Sequence, residues 1–479
     1  MTPVYVLTAW IATALLGSGT WIAIAGWPRD SAARWCALGG GWILGALLGG
    51  VGVRVLGASD LTGVVAVAAG AAAVGLLLWG GAWRLRGRAP VALATRMPPI
   101  EAHRGERIWI ALLLALLAWR GVLILDDVLL HPVLPWDAWA VWLAKAKAWV
   151  LAGRIDASVP YASWVAQAAA PERTGVAWMY PELVPWMAVW FAAGTHWIEP
   201  LVGLVWFGLG VALLVLHYGQ WRALGVSRAM ACVGVYALGS LPLLDAHVAL
   251  GGYADLWIAA VLSLGAHAWL RWSSLGERRQ IGLIVVAMVL LPLLKLEGSI
   301  WSIVLGMACA FRLLPRRLRA RRFAWIAAAV AATVVVCIAF GLPWIAMARR
   351  YLDSGRLFDG GQIAASALSL ASALWAQWNW NLLWVALPGV LVWNARCWSA
   401  SPTTRRLVAL VALPLLVMLG LFLFTTAARY AQSYSAVNRL LLQITPLLVS
   451  VLVLALRPPD GVAARGASQS GASCASASS

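Results

Sequence analysis

The 479-residue chain is 62% hydrophobic and only 11% charged, a balance that excludes an ordinary soluble domain and calls for many membrane spans. Its formal net charge of +18 invites a nucleic-acid reading, but a nucleic-acid binder needs a basic stripe on one folded face. Here the basic residues crowd between apolar runs instead, and the six cysteines show no Cys-x-x-Cys spacing, so neither a disulfide framework nor a thiolate metal site is expected.

Apolar runs of spanning length fall at 4–27, 35–57, 61–83, 107–125, 198–218, 229–249, 253–271, 323–348, 380–396, 406–427 and 439–456. The first has no basic residue ahead of it and is longer than a signal-peptide core, so it reads as a span. Residues 1–83 form a Gly- and Ala-rich three-span extension without a polar cluster of its own. An Arg- and Pro-rich cytoplasmic linker follows at 84–106, then a membrane core at 107–456. The segment 457–479 is low-complexity and reads as a disordered cytoplasmic tail. Arginines concentrate in alternate loops, which the positive-inside bias assigns to the cytoplasm, whereas most acidic residues gather in the loops left for the other side. The run Ile281–Leu314 has basic loops at both ends, so it must be a hairpin with Leu-Lys-Leu-Glu-Gly at its far tip. Its arms are too short to cross a core about 30 Å thick, which places Lys295 and Glu297 below the surface in a protein-lined cavity. The short run Glu182–Phe191 reads as re-entrant or interfacial. The expected fold is all-α and polytopic, with thirteen spans and the N-terminus outside.

The loop at 126–197 carries the densest chemistry. Asp126, Asp127 and Asp137 stand close to Lys145 and Lys147, and all three of the chain's lysines lie in candidate site segments. From Pro135 onward Trp139, Trp142, Leu143, Ala146, Trp149 and Val150 repeat at a period near 3.6. That stripe predicts an interfacial helix with tryptophans toward lipid and Asp137 on the opposite face. The alternative is a solvated loop helix whose charges keep it soluble. Further along, Asp245, Tyr253 and Asp255 close an outer hairpin, and Lys295 and Glu297 lie two residues apart, with Gly298 suggesting a local irregularity that turns both toward a cavity. Arg429, Tyr430 and Arg439 flank the last outer loop. Arginine is suited to bidentate phosphate recognition, although it also serves as a plain interfacial anchor. An ionisable group inside a span costs about 2.5–3.5 kcal/mol on insertion scales, so such groups pair or line a site. His131, His196 and His247 are too scattered to suggest a histidine metal site.

Taken in order, these segments resemble the polyprenyl-phosphate-dependent membrane glycosyltransferases of the GT-C fold, in particular relatives of the family 39 protein mannosyltransferases and the aminoarabinose transferases. The resemblance covers residues 107–456. The segment PWDAWAVWLAKAKAW is similar to the periplasmic loop in which that family carries a catalytic Asp ahead of an interfacial helix, with Asp137 in the Asp position. The segments YPELVP (180–185), GGYADL, LKLEG and NRLLLQITP resemble later family segments. The family often has Asp-Glu at the catalytic position; here Ala138 follows Asp137, which keeps Asp126 and Asp127 as alternatives. The resemblance implies transfer of a sugar from a polyprenyl-phosphate-linked donor to a glycan, lipid or protein acceptor at the periplasmic face of a bacterial inner membrane. It implies Asp137 as base, Lys295, Arg429 and Arg439 at the donor phosphate, and Lys145, Tyr180, Glu182, Tyr253, Asp255 and Glu297 in substrate binding. No cofactor is required, while the many carboxylates leave room for a divalent cation. Membrane lipid is a partner and nucleic acid is not. The rival readings are a transporter or flippase for a lipid-linked glycan, which would carry its charges near mid-membrane in two related halves, and an O-antigen-type polymerase or ligase.

Overall fold

The structure, a computed structural model, describes residues 2–56, 63–85, 104–166, 172–313 and 359–457. The expected span at 323–348, most of the 84–106 linker and nearly all of the 457–479 tail lie outside the described residues. Every regular element among the described residues is helical. In chain order these are α1 (Thr2–Ala25), α2 (Ser31–Leu56), α3 (Val64–Leu85), α4 (Arg104–Leu130), a π-helical turn (Ala138–Trp142) continuing into α5 (Leu143–Ala152), α6 (Tyr161–Ala166), α7 (Leu183–Ala192), α8 (Glu199–Ala223), α9 (Arg228–Gly239), α10 (Pro242–Ala249), α11 (Asp255–Leu275), α12 (Gln280–Leu294), α13 (Leu296–Leu313), α14 (Gly360–Ala371) continuing into a second π-helical turn (Ser372–Ala376), α15 (Leu383–Trp393), α16 (Ala395–Ala400), α17 (Pro402–Phe424), α18 (Ala428–Gln432) and α19 (Val437–Ala455).

Among the described residues eight helices are long and apolar enough to cross a membrane, or nine if the bent pair α9 and α10 counts as one span. Among the described residues, then, there are fewer straight, full-length helices than the expected thirteen, one of which falls at 323–348 outside them. At a rise of about 1.5 Å per residue, α7 and α15 extend only about 15–17 Å, half a bilayer core. The expected straight span at 229–249 bends by 64° between α9 and α10. Pro242 sits in the first turn of α10, where its missing N–H costs nothing and its ring ends the preceding helix. The carbonyl of Ser240, freed by the bend, accepts from Arg120 Nη2 at 3.3 Å and from Asn381 Nδ2 at 2.9 Å.

The centre of the molecule is α11, buried along nearly its whole length, its few polar side chains included. By contrast α4 turns Ile108, Trp109, Leu112, Trp119 and Leu123 outward, a surface suited to lipid. The three-span extension is built into the core. Trp190 of α7 donates through Nε1 to Thr13 Oγ1 at 2.9 Å, and Tyr5 donates its hydroxyl hydrogen to the Trp190 carbonyl at 2.6 Å. The sequence from Gln280 to Leu313 folds as the expected hairpin, with Ser302 Oγ donating to the Met288 carbonyl at 2.8 Å across the two arms, but only the first arm is short: α13, against expectation, is long and apolar enough to cross a membrane. The break falls at Lys295 itself, whose backbone is extended (φ −162°, ψ 158°). Gly298 has a different part from the one expected: a Cβ there would lie 1.8 Å from the Leu291 carbonyl oxygen, so the missing side chain lets the arms touch.

Candidate functional site

Three helix beginnings and one hairpin tip meet at one end of the bundle. Asp137 precedes the π-helical turn, Asp255 opens α11, Lys295 and Glu297 occupy the α12–α13 break, and Arg439 lies in the first turn of α19. The fully buried carboxylate of Asp255 is the hub. Its Oδ1 accepts from Lys295 Nζ at 2.9 Å and from Gln443 Nε2 at 2.7 Å, while its Oδ2 accepts from Arg439 Nε at 2.9 Å. Lys295 Nζ also reaches Glu297 Oε1 at 3.2 Å. Arg439 Nη1 bonds Asp137 Oδ2, closing a chain of three carboxylates and two cations. An isolated buried carboxylate would be prohibitively costly; here pairing and several donors offset the desolvation.

Aromatic and amide groups fix the geometry. The Arg439 guanidinium lies 4.6 Å over the Tyr253 ring, whose carbonyl accepts from Trp206 Nε1 at 2.8 Å. Behind it stands the ring of His247, 5.2 Å from that of Tyr253. Trp301 Nε1 donates to Gln443 Oε1 at 2.6 Å, which aims the amide hydrogens of Gln443 at Asp255. Gly252 adopts φ +114°, and a Cβ there would lie 2.5 Å from Ala138 Cβ. The turn before α11 thus presses directly on the residue after Asp137, and only glycine meets both the conformation and the space. A π-helical turn, uncommon and frequent at functional sites, starts at that point of pressure.

A second charged group adjoins the first. Lys145 Nζ reaches Glu182 Oε1 at 3.1 Å and donates to the Trp178 carbonyl at 3.2 Å, tying α5 to the segment ahead of α7. Burial pushes the Lys145 ammonium down from its ordinary value, against the opposing pull of Glu182. Tyr180 lies beside both groups. Burial, then the carboxylate of Glu297, pushes its phenol upward, and burial does the same to Tyr253. Lys147 bonds Glu199 Oε1 at 2.8 Å, and Glu199 Oε2 accepts from the Val133 N–H at 3.0 Å, so the loop carrying Asp137 is anchored to the start of α8.

Of the residues singled out in the sequence, Asp137, Asp255, Lys295, Glu297, Arg439 and Tyr253 come together, with Tyr180, Lys145 and Glu182 alongside. Three do not join them. Asp126 and Asp127 lie within the last turns of α4 rather than beyond it, Asp126 exposed and Asp127 paired to His131 at 2.8 Å. Arg429 is exposed, stacks on Tyr430 and donates to its phenol oxygen at 2.8 Å; no contact among the described residues joins it to the five charged groups. The expected outward tryptophan stripe is also corrected. Trp142 and Trp149 are buried inside the protein with Leu143 and Ala146, and only Trp136 and Trp139 are exposed. Asp245, expected in the outer turn, instead pairs with Arg120 of α4. Gln443, Trp301 and Arg120 were passed over in the sequence. Gln443 was findable: a polar residue inside an apolar run, one turn beyond Arg439 on the same face. Among the described residues no group of three or more His, Cys, Asp or Glu side chains is placed to hold a metal ion.

The helices and the charged centre together define a multi-pass α-helical membrane protein with a cluster of five paired charged side chains at one end of its bundle. Comparison of the chain with protein-family models, with characterised proteins and with solved structures finds no match.

Proposed function

We propose that the protein is a membrane glycosyltransferase that moves a sugar from a polyprenyl-phosphate-linked donor to a hydroxyl acceptor, with its active face on the periplasmic side of a bacterial inner membrane. The observation that carries this reading is the convergence of Asp137, a partly open carboxylate placed just before a loop helix, with the two cations Lys295 and Arg439. In the proposed reaction the acceptor oxygen attacks the anomeric carbon and its proton passes to Asp137. The bond from the anomeric carbon to the phosphate oxygen breaks, and the polyprenyl phosphate leaves with the electron pair. Positive charge at Arg439, backed by Lys295, stabilises that leaving group, and proton transfer to a positioned base contributes about 10²–10⁴-fold. Tyr180 and Tyr253 offer ring faces to a sugar, and Lys145, Glu182 and Glu297 offer polar contacts. Arg429 serves here as a rim anchor.

One observation favours a second reading, a carrier for a lipid-linked glycan. Two helices are broken, one at Lys295 within the charged centre and one by the 64° bend before α10, beside the Arg120–Asp245 pair, and transporters use broken helices in this way. Reconstitution separates the two. Proteoliposomes holding a polyprenyl-phosphate sugar and an acceptor extract should yield a new covalent glycoside, and a strain lacking the protein should lose one surface glycan modification by mass analysis. Movement of the lipid-linked glycan between leaflets without any new glycosidic bond would establish the carrier instead.

A further inference from the structure

Arg439 holds two carboxylates that are not equivalent. Toward Asp255 the guanidinium is committed: Nε and Nη2 both lie 2.9 Å from Asp255 Oδ2, and the cation's face rests on Tyr253. Asp255 is itself 0% exposed and held from its other oxygen by Lys295 and Gln443. Toward Asp137 the guanidinium offers one edge, Nη1, and the Asp137 side chain is 31% exposed. Asp137 has no other hydrogen-bond donor among the described residues, and its backbone is pressed from behind where Gly252 meets Ala138. A third anion entering this end of the bundle meets an arginine whose inner bonds are buried and whose outer bond is open to exchange.

We propose that Arg439 is an exchange residue, with Asp255 as its permanent partner and Asp137 as its replaceable one. In the lipid-free protein its outer edge occupies a lone pair of Asp137. A phosphate mono- or diester arriving at the site takes that edge, which leaves the Asp137 carboxylate free to accept a proton. This rests on the glycosyltransferase reading and deepens it, because the base becomes competent only once the donor phosphate is in place, and a wandering acceptor cannot be activated without a donor.

Exchange makes Asp137 and phosphate competitors, and competition gives a signed prediction. The full-length protein in nanodiscs is titrated with undecaprenyl monophosphate, with undecaprenol as the uncharged control. Removing the competing charge in Asp137→Asn should tighten phosphate-lipid binding by roughly tenfold, the scale of a partly exposed ion pair that no longer has to be broken. Glu297→Gln removes the same charge from the same centre without touching Arg439, so it should tighten binding much less. Asp137→Ala, scored by the same titration, covers the case in which the Asn variant folds poorly. Wild-type binding with unchanged or weaker binding in both Asp137 variants overturns the exchange and leaves the donor reading standing. Equal tightening in Asp137→Asn and Glu297→Gln also overturns it, since bulk charge would then suffice. No binding of the phosphate lipid by any variant removes the donor reading and the exchange together. If inorganic phosphate shows the gain and the lipid does not, exchange holds with a free anion and the lipid donor falls.

Discussion

The helices α11 and α19 carry buried polar groups at two depths, and the two depths are chemically different. At their beginnings Asp255 and Arg439 are ionised partners joined to Lys295, Asp137 and Gln443. Twelve residues further along α11, about 18 Å deeper by helix rise, His267 meets Ser450 of α19 at 3.3 Å and the His217 ring of α8 at 5.0 Å. There the bonds are neutral. Trp221 Nε1 donates to Ser450 Oγ at 3.0 Å, and the Nδ1–H groups of His217 and His267 donate to the carbonyls four residues back, at 2.8 and 2.9 Å. The seam's side chains and Asp255 are fully buried while Asp137 is partly open, and of the two groups only the one near the bundle's end holds charge. The desolvation cost of an ion grows with depth, so a deep polar seam can knit helices together, whereas a shallow ionised one can exchange partners with a ligand.

The sharpest way to break this contrast is at the open carboxylate. Asp137→Asn keeps shape and removes the proton acceptor, so transfer should fall by about 10²–10⁴-fold with the protein still inserted and abundant. Asp126→Asn and Asp127→Asn, on a helix end apart from the centre, should transfer at nearly the original rate. A transfer-competent Asp137→Asn beside a dead Asp127→Asn would move the base by one helix.

The hub should fail differently. Asp255→Ala leaves Lys295 and Arg439 buried without their shared partner, and losing one side of a buried ion pair costs about 3–5 kcal/mol. Low membrane abundance and a lowered midpoint of thermal unfolding in detergent are the expected readouts. An abundant, stable Asp255→Ala protein would mean that the centre is wetter than its burial indicates.

Gly252→Ala tests positioning between these two. The added methyl meets Ala138 Cβ at 2.5 Å with φ at +114°, a strain of about 1–3 kcal/mol. Because the strain acts on the residue next to Asp137, transfer per inserted molecule should drop while polyprenyl-phosphate binding persists. Loss of both in equal measure would make the turn a general folding element.

The helical membrane class, the hairpin at Gln280–Leu313, the shortness of α7 and the segments that converge were legible in the sequence, because charge inside an apolar chain is rare and has to be collected somewhere. Other features were not. Trp142 and Trp149 form a periodic stripe that suits lipid and protein interior equally, since lipid tails are as apolar as leucine, and only the fold assigns them inward. The run 229–249 is apolar along most of its length and so reads as one straight span; the bend depends on Pro242 together with Arg120 and Asn381, which come from distant parts of the chain to hold the freed carbonyl. Gln443 was visible as a lone amide in an apolar run, but its aim at Asp255 depends on Trp301, 142 residues away.

The smallest effect belongs to the deep seam. Ser450 Oγ accepts from Trp221, donates to the Pro446 carbonyl at 2.8 Å and stands beside His267 Nε2. Ser450→Ala leaves the Trp221 N–H without that acceptor in a region that carries no ion, a loss of about 1 kcal/mol. Unfolding in detergent should shift slightly, while transfer per molecule and phosphate-lipid binding stay at wild-type levels, because nothing in the seam changes charge when a ligand arrives at the other end. If Ser450→Ala instead abolished transfer at normal abundance, the seam would be coupled to the chemistry. The two depths of α11 and α19 would then belong to one path through the bundle, as a carrier requires.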